Sequence, residues 1–164
     1  MYGTPRHCDF RHLMALYEAN YVRFAHLVPG MAQGRASGRS DRGDGLDLHL
    51  RMLEHSVYTS TLELTYYFTG LRDAEGSAPV PEPELVIRLY HDARLAEAIS
   101  CRDVDPGPRN RMPFEGKSTC VGEKLLLNQF LEKWLIYALR QGHCFDEACT
   151  GSAGDTLLHP CAVG

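Results

Sequence analysis

VIRLYHDARLAEAI, residues 86–99, decides how this chain folds. Leu85, Ile87 and Leu89 alternate with Val86, Arg88 and Tyr90, and Ala96, Ala98 and Ser100 alternate with Leu95, Glu97 and Ile99. A period of two marks strands with one buried face. His91-Asp92-Ala93-Arg94 separates the two series and reads as the turn between them. With Asp92 and Ala93 as a two-residue loop, His91 faces Arg94, Leu89 faces Ala96, Arg88 faces Glu97 and Val86 faces Ile99. That register sets an opposite-charge pair in mid-hairpin. Asp-Ala is not a favoured Asn-Gly or Asp-Gly turn, so a four-residue loop with a different pairing is the alternative.

Upstream, Leu46, Leu48, Leu50 and Met52 alternate with Asp47, His49 and Arg51, and Leu62, Leu64, Tyr66 and Phe68 alternate with Thr61, Glu63, Thr65 and Tyr67. These are two more strands with one wet face, expected to form a hairpin. Only even-to-even pairings keep both apolar sets on one side. A three-residue loop at His55-Ser56-Val57 satisfies this, with Glu54 facing Tyr58, Leu50 facing Leu62 and His49 facing Glu63. Gly70 to Glu84, with three prolines at alternate positions, reads as an extended loop, and Asp103 to Thr119 as a second long connection of the kind that forms binding loops or lids.

Helices flank the strands. Asp9 suits the N-cap of a helix in which Phe10, Leu13, Met14, Tyr17, Phe24, Leu27 and Val28 recur at helical spacing up to Pro29-Gly30. Its opposite face, with Arg11, His12, Glu18, Arg23 and His26, reads as solvated. Gly122 to Gln141 is the second helix, carrying a stripe of Leu127, Phe130, Leu131, Trp134, Leu135 and Ala138 and followed by Gly142, a fitting left-handed cap. Met31 to Gly45, rich in Gly, Ser and Arg, reads as a flexible connector, and residues 143–164 as a disordered tail. The sum is one α+β domain over residues 1–142. It has two layers: a four-stranded antiparallel sheet in order 1-2-3-4, with the N-terminal and C-terminal long helices packed on its apolar face.

LYHDARLAEA (residues 89–98) and EKLLLNQFLEKWLIYAL (residues 123–139) resemble the DUF1249, or YqiB-like, family of small bacterial cytoplasmic proteins, from about Asp9 to Gly142. Where that family carries a more polar run ahead of the last helix, this chain has Cys120-Val121-Gly122. The resemblance implies no activity, because the family is known as a domain of unknown function.

A net charge of -4 gives no overall positive field to draw the chain to nucleic acid or anionic lipid. Arg35, Arg39 and Arg42 make too small a basic cluster to reverse that. Neither a signal-like apolar run nor a membrane span of roughly 20 apolar residues is present. The expected location is therefore the cytoplasm, where most of the six cysteines are expected to be thiols.

Successive turns of a meander alternate ends, so Glu54, Tyr58, His91 and Asp92 share one rim and are the catalytic candidates, with His91 as base oriented by Asp92 or Glu54. Against this, His-Asp also suits a turn on structural grounds, and His91 continues the inward series of Leu85, Ile87 and Leu89. Arg88, Glu97, Lys124 and Asn128 are candidates for binding, with Glu123 beside them. Cys144, Cys149, Cys161 and His159 are a weak metal-ligand set, since only Cys144 and Cys149 approach the usual spacing. No Gly-x-Ser-x-Gly elbow, Walker motif or dinucleotide fingerprint occurs, and no common cofactor has a visible home. The expected function is that of a small non-catalytic binding or accessory protein, with a hydrolase or isomerase using His91 as the alternative. Tyr67, Leu53, Tyr90 and Leu95 fall on the sheet face away from the helices, where a homodimer or a protein partner would dock.

Overall fold

Four segments with an apolar residue at every second position need one shared cover, and two amphipathic helices supply it. The computed structural model describes residues 7–34, 37–42, 46–68, 80–102 and 121–145. Its elements are α1 (His7–Leu27), a 3-10 turn (Met31–Gln33), β1 (Gly38–Ser40), β2 (Leu46–His55), β3 (Thr59–Phe68), β4 (Val80–Tyr90), β5 (Leu95–Arg102) and α2 (Val121–Arg140). The strands form one antiparallel sheet in the order β1-β2-β3-β4-β5. Leu48, Leu50, Leu62, Leu64, Tyr66, Leu85, Ile87, Leu89, Ala96 and Ala98 line its inner face, against Phe24 and Leu27 of α1 and Leu127, Leu131, Trp134 and Leu135 of α2. Trp134 is a core residue, its ring 5.5 Å from that of Tyr66.

The sheet has a fifth strand, β1, inside the stretch expected to be a flexible connector. Gly38–Ser40 pairs with Leu48–Leu50. Three residues are too few to show a period, and what makes them a strand is the row of backbone groups on β2 that would otherwise lack partners. β2 and β3 pair with the expected even-to-even parity but two residues further along, Leu50 opposite Leu64 and His49 opposite Thr65. A bulge between Met52 and Glu54 absorbs the odd residue. The loop becomes Ser56-Val57-Tyr58, closed by the Ser56 N–H and hydroxyl on the Thr59 carbonyl, 2.7 and 3.1 Å.

β4 begins at Val80 rather than after Glu84 and contains Pro81 and Pro83. Among the described residues the last β4–β5 pair is Glu84 with Arg102, short of both prolines, while Pro81 still pairs with Tyr67 of β3. The decisive hairpin keeps Leu89 opposite Ala96 and Arg88 opposite Glu97, but a bulge beyond Ile87 sets Val86 against Ser100 instead of Ile99. Its turn is the four-residue His91–Arg94, with Arg94 left-handed at φ 54, and the inner pairing is unchanged.

α1 starts at His7, ahead of the expected cap Asp9. Its buried face takes in Leu16 and leaves Phe10 exposed. The α2 C-terminus closes in a Schellman motif: the Gly142 N–H bonds the Leu139 carbonyl at 3.0 Å, the His143 N–H bonds the Ala138 carbonyl at 3.0 Å, and Gly142 has φ 79. Order continues past residue 142. His143 and Phe145 are buried, and the Phe145 N–H reaches the Leu27 carbonyl at 2.8 Å. The expected tail beyond them, and the expected loop or lid at 103–119, lie outside the described residues.

Candidate functional site

Both hairpin turns lie at one end of the sheet, joined where the His91 N–H donates to the Tyr58 carbonyl at 2.8 Å. The side chains expected to assist His91 do not reach it. Glu54, Tyr58 and Asp92 are exposed, and the imidazole instead turns inward in line with Leu89. His91 Nε2 lies 2.7 Å from Ser60 Oγ, and His55 Nδ1 lies 2.9 Å from the same oxygen. One hydroxyl hydrogen serves one of the two rings, so the other ring must donate to the oxygen. Tyr21 of α1 stands edge-on to His91 at 6.4 Å, and His55 packs over Gly34, where an added Cβ would come within 2.9 Å of the ring.

Ser60 and His91 have the separation of a nucleophile and its base, but not the rest of such a site. Ser60 is 1% exposed, and His91 Nδ1, which an orienting acid would hold, is buried with no hydrogen-bond partner. An orphaned ring nitrogen of this kind costs ~1 to 3 kcal/mol. Burial lowers the His91 pKa, the neighbouring His55 lowers it further and Asp92 opposes them, so the ring is neutral at neutral pH.

The binding candidates on β4, β5 and α2 are drawn into the fold itself. Glu97 leaves the sheet on the side opposite Ala96 and Ala98 and is 8% exposed. Its Oε1 accepts from Tyr17 at 3.1 Å and Lys124 at 2.8 Å, and its Oε2 accepts from Tyr90 at 3.1 Å. Burial alone would raise the Glu97 pKa, but Lys124 and the two tyrosines outweigh it and leave it lowered. Burial beside this carboxylate drives the Tyr17 hydroxyl up. Arg88 stands opposite Glu97 in register, yet its Nε points to Thr61 Oγ1 at 3.5 Å. Asn128, fully buried, caps the free edge of β5: its Oδ1 accepts the Ala98 N–H at 2.8 Å, and its Nδ2 donates to the Ala98 carbonyl at 3.3 Å. The two stretches 89–98 and 123–139 therefore meet through Glu97 with Lys124 and Ala98 with Asn128.

The sheet face away from the core holds what the sequence did not single out. A groove of ≈ 480 Å³ there is lined by His49, Leu50, Arg51, Glu63, Thr65, Tyr67 and Glu84. His49, Thr65 and Glu84 form one row across β2, β3 and β4. A short Thr between longer neighbours makes a floor, and Thr65 is only 4% exposed. Beyond it the β3–β4 ladder slips, so that Tyr67 pairs with Pro81, an irregularity of the kind that re-aims side chains. Arg51 forks onto Glu63, Nε to Oε1 at 3.1 Å and an Nη to Oε2 at 2.8 Å. His49 packs edge-on against Tyr67 at 4.4 Å. Burial lowers the His49 pKa, with Asp47 opposing and Arg39 assisting. Thr65 Oγ1 is buried and has no hydrogen-bond partner, which costs ~1 to 3 kcal/mol in a group free to be replaced by valine. The row was hidden because it depends on a β2–β3 register that alternation alone leaves two residues off.

Of the residues expected to form a partner surface, Leu53 is exposed, while Tyr67 is engaged with His49 and Tyr90 with Glu97. Cys144 is half-buried beside Ser40; Cys149, Cys161 and His159 lie outside the described residues. Among the described residues no three His, Cys, Asp or Glu side chains are placed to hold a metal, and no helix is long and apolar enough to cross a membrane.

The profile of the family described as "Protein of unknown function (DUF1249)" matches residues 23–144, which include every residue of the groove and both hairpin turns. Three curated proteins, each called "Uncharacterized protein YqiB", from Escherichia coli strains K12, O6:H1 and O157:H7, are 30% identical over 139 residues, covering 82% of this chain and 91% of theirs. No solved structure matches significantly.

Proposed function

The chain belongs to the DUF1249 family, a family of unknown function, and we propose from its own side chains that it is a cytosolic, non-catalytic binding protein whose ligand occupies the groove on the sheet face away from the core. The observation that carries this reading is Thr65: a hydroxyl with no partner, buried at the floor of a groove walled by His49, Arg51, Glu63, Tyr67 and Glu84. A buried polar atom without a bond is a cost that a fold sheds unless something else uses it, and valine would fill the same space without that cost. Against catalysis stands the placement of the polar residues. Ser60 is sealed, His91 lacks an orienting acid, and Glu97 and Asn128 are committed to holding the helices to β5.

Thr65→Val tests the reading. Native mass spectrometry of the chain incubated with a small-molecule cell extract should show a bound mass on the wild type and none on the variant. The variant's melting temperature should stay the same or rise. A bound mass retained by Thr65→Val, or a clear drop in its melting temperature, would place the hydroxyl in the structure rather than in the binding site.

A further inference from the structure

We infer that the His55–Ser60–His91 chain is an acid-sensitive latch between the two hairpin turns: it holds them together while the His91 ring is neutral and releases them when that ring takes a proton. The latch lies at the turn end of the sheet, and nothing about it depends on the groove.

Two kinds of bond join the turns there. The His91 N–H donates to the Tyr58 carbonyl at 2.8 Å, and His55 Nδ1 at 2.9 Å and His91 Nε2 at 2.7 Å share the Ser60 hydroxyl. With both rings neutral that hydroxyl is fully used, since it gives its one hydrogen to one ring and accepts the N–H of the other. A proton on His91 spoils either arrangement. Where Nε2 accepts from Ser60, the ring's own hydrogen sits on Nδ1 and the proton must land on Nε2; the hydroxyl hydrogen then loses its acceptor in a side chain 1% exposed. Where Nε2 donates, the proton must land on Nδ1, which is buried with no hydrogen-bond partner. Each case leaves a buried donor without an acceptor, and turning the ring out to water relieves it.

The surroundings favour release. His91 faces His55 from β2, Ser60 from β3, the Tyr21 ring from α1 and Asp92 of its own turn. Burial is the strongest influence on the ring and holds it neutral at neutral pH, so the latch is closed there. His55, its ring centre 6.3 Å away, also opposes the charge. Asp92 favours it, and Asp92 is exposed, so the partner that suits an imidazolium stands on the solvent side.

Hydrogen exchange of the whole chain, followed by amide NMR at about pH 7.5 and about pH 5 with and without sub-denaturing urea, tests the latch. An opened ring of ordinary pKa, about 6.5, is almost fully protonated at the lower pH, so the protection factor of the His91 amide should fall about tenfold. Urea should leave that fall unchanged, because parting two turns exposes little surface. His91→Gln, able to bond Ser60 but not to take a proton, should show no such fall at residue 91. The wild-type readouts stand whether or not that variant folds. Unchanged protection at the lower pH, a fall that follows urea as the Leu64 amide in mid-sheet does, or a fall that persists in His91→Gln would each overturn the latch.

Discussion

Replacing Asn128 with alanine should cost this fold more than any other single polar change. β5 ends the sheet, so the outward N–H and C=O of Ala98 have no strand to meet, and the Asn128 amide supplies both partners at 2.8 and 3.3 Å. The same Nδ2 donates to the Lys124 carbonyl at 2.9 Å, and the Asn128 backbone carbonyl accepts from Asn20 at 3.1 Å, so this residue also links α2 to α1. Asn128→Ala strands the two Ala98 groups in a residue that is only 1% exposed. At ~1 to 3 kcal/mol for each stranded group the loss is ~2 to 6 kcal/mol, a large part of the ~5 to 15 kcal/mol that holds such a domain. For a domain of this size that is a fall of roughly 5 to 20 °C in melting temperature. Asn128→Asp keeps the acceptor for the Ala98 N–H but turns a carboxylate toward two carbonyls, and should be worse than alanine at pH 7. Trp134, the one tryptophan, reports urea unfolding from within the core, and hydrogen exchange at the Ala98 amide reports the edge directly. A loss below ~1 kcal/mol with the Ala98 amide still protected would refute the assignment of the edge to Asn128.

His91→Ala should lower stability by ~1 to 3 kcal/mol through the lost bond to Ser60, and an unchanged melting temperature would make the turn-end cluster worth testing for catalysis. The unfolding free energy should fall as pH drops below the ordinary imidazole value of about 6.5. Burial holds the His91 and His49 pKa values below it, so the unfolded chain binds those protons first; a flat profile between pH 7 and 5 would contradict this. Glu97→Gln should cost ~1 to 3 kcal/mol in urea unfolding at pH 7, because Lys124 loses its charged partner. Since the Glu97 pKa is lowered, its contribution is present above the ordinary carboxylate range and lost as pH falls through the folded value, and the variant should lack that acid-side slope.

How far alternation carries a reading, and where it stops, is visible in β4 and β5. The period of two in residues 85–100 fixes which side chains are inner, and Leu85, Ile87, Leu89, Ala96 and Ala98 are all core. It does not see bulges, which insert one residue without changing composition, and so it misplaces Val86 against Ile99 and sets Leu50 against Leu62. Nor does it see β1, which owes its existence to a neighbour. Its largest blind spot is the polar residue on a strand. Arg88 and Glu97 do stand opposite one another, yet the carboxylate takes its bonds from Tyr17, 80 positions away in sequence, from Lys124, 27 away, and from Tyr90. A charge on a strand is free to choose any donor that a helix overhanging the edge brings within hydrogen-bonding distance, and a buried carboxylate must find such partners to offset its desolvation. For the same reason polarity alone misdirects a search for the site. Glu97 and Asn128 are polar, buried and fully bonded, so they hold the molecule together. Thr65, the least conspicuous of the three in sequence, is the one whose hydroxyl the fold leaves without a partner, and it is a lining residue of the groove.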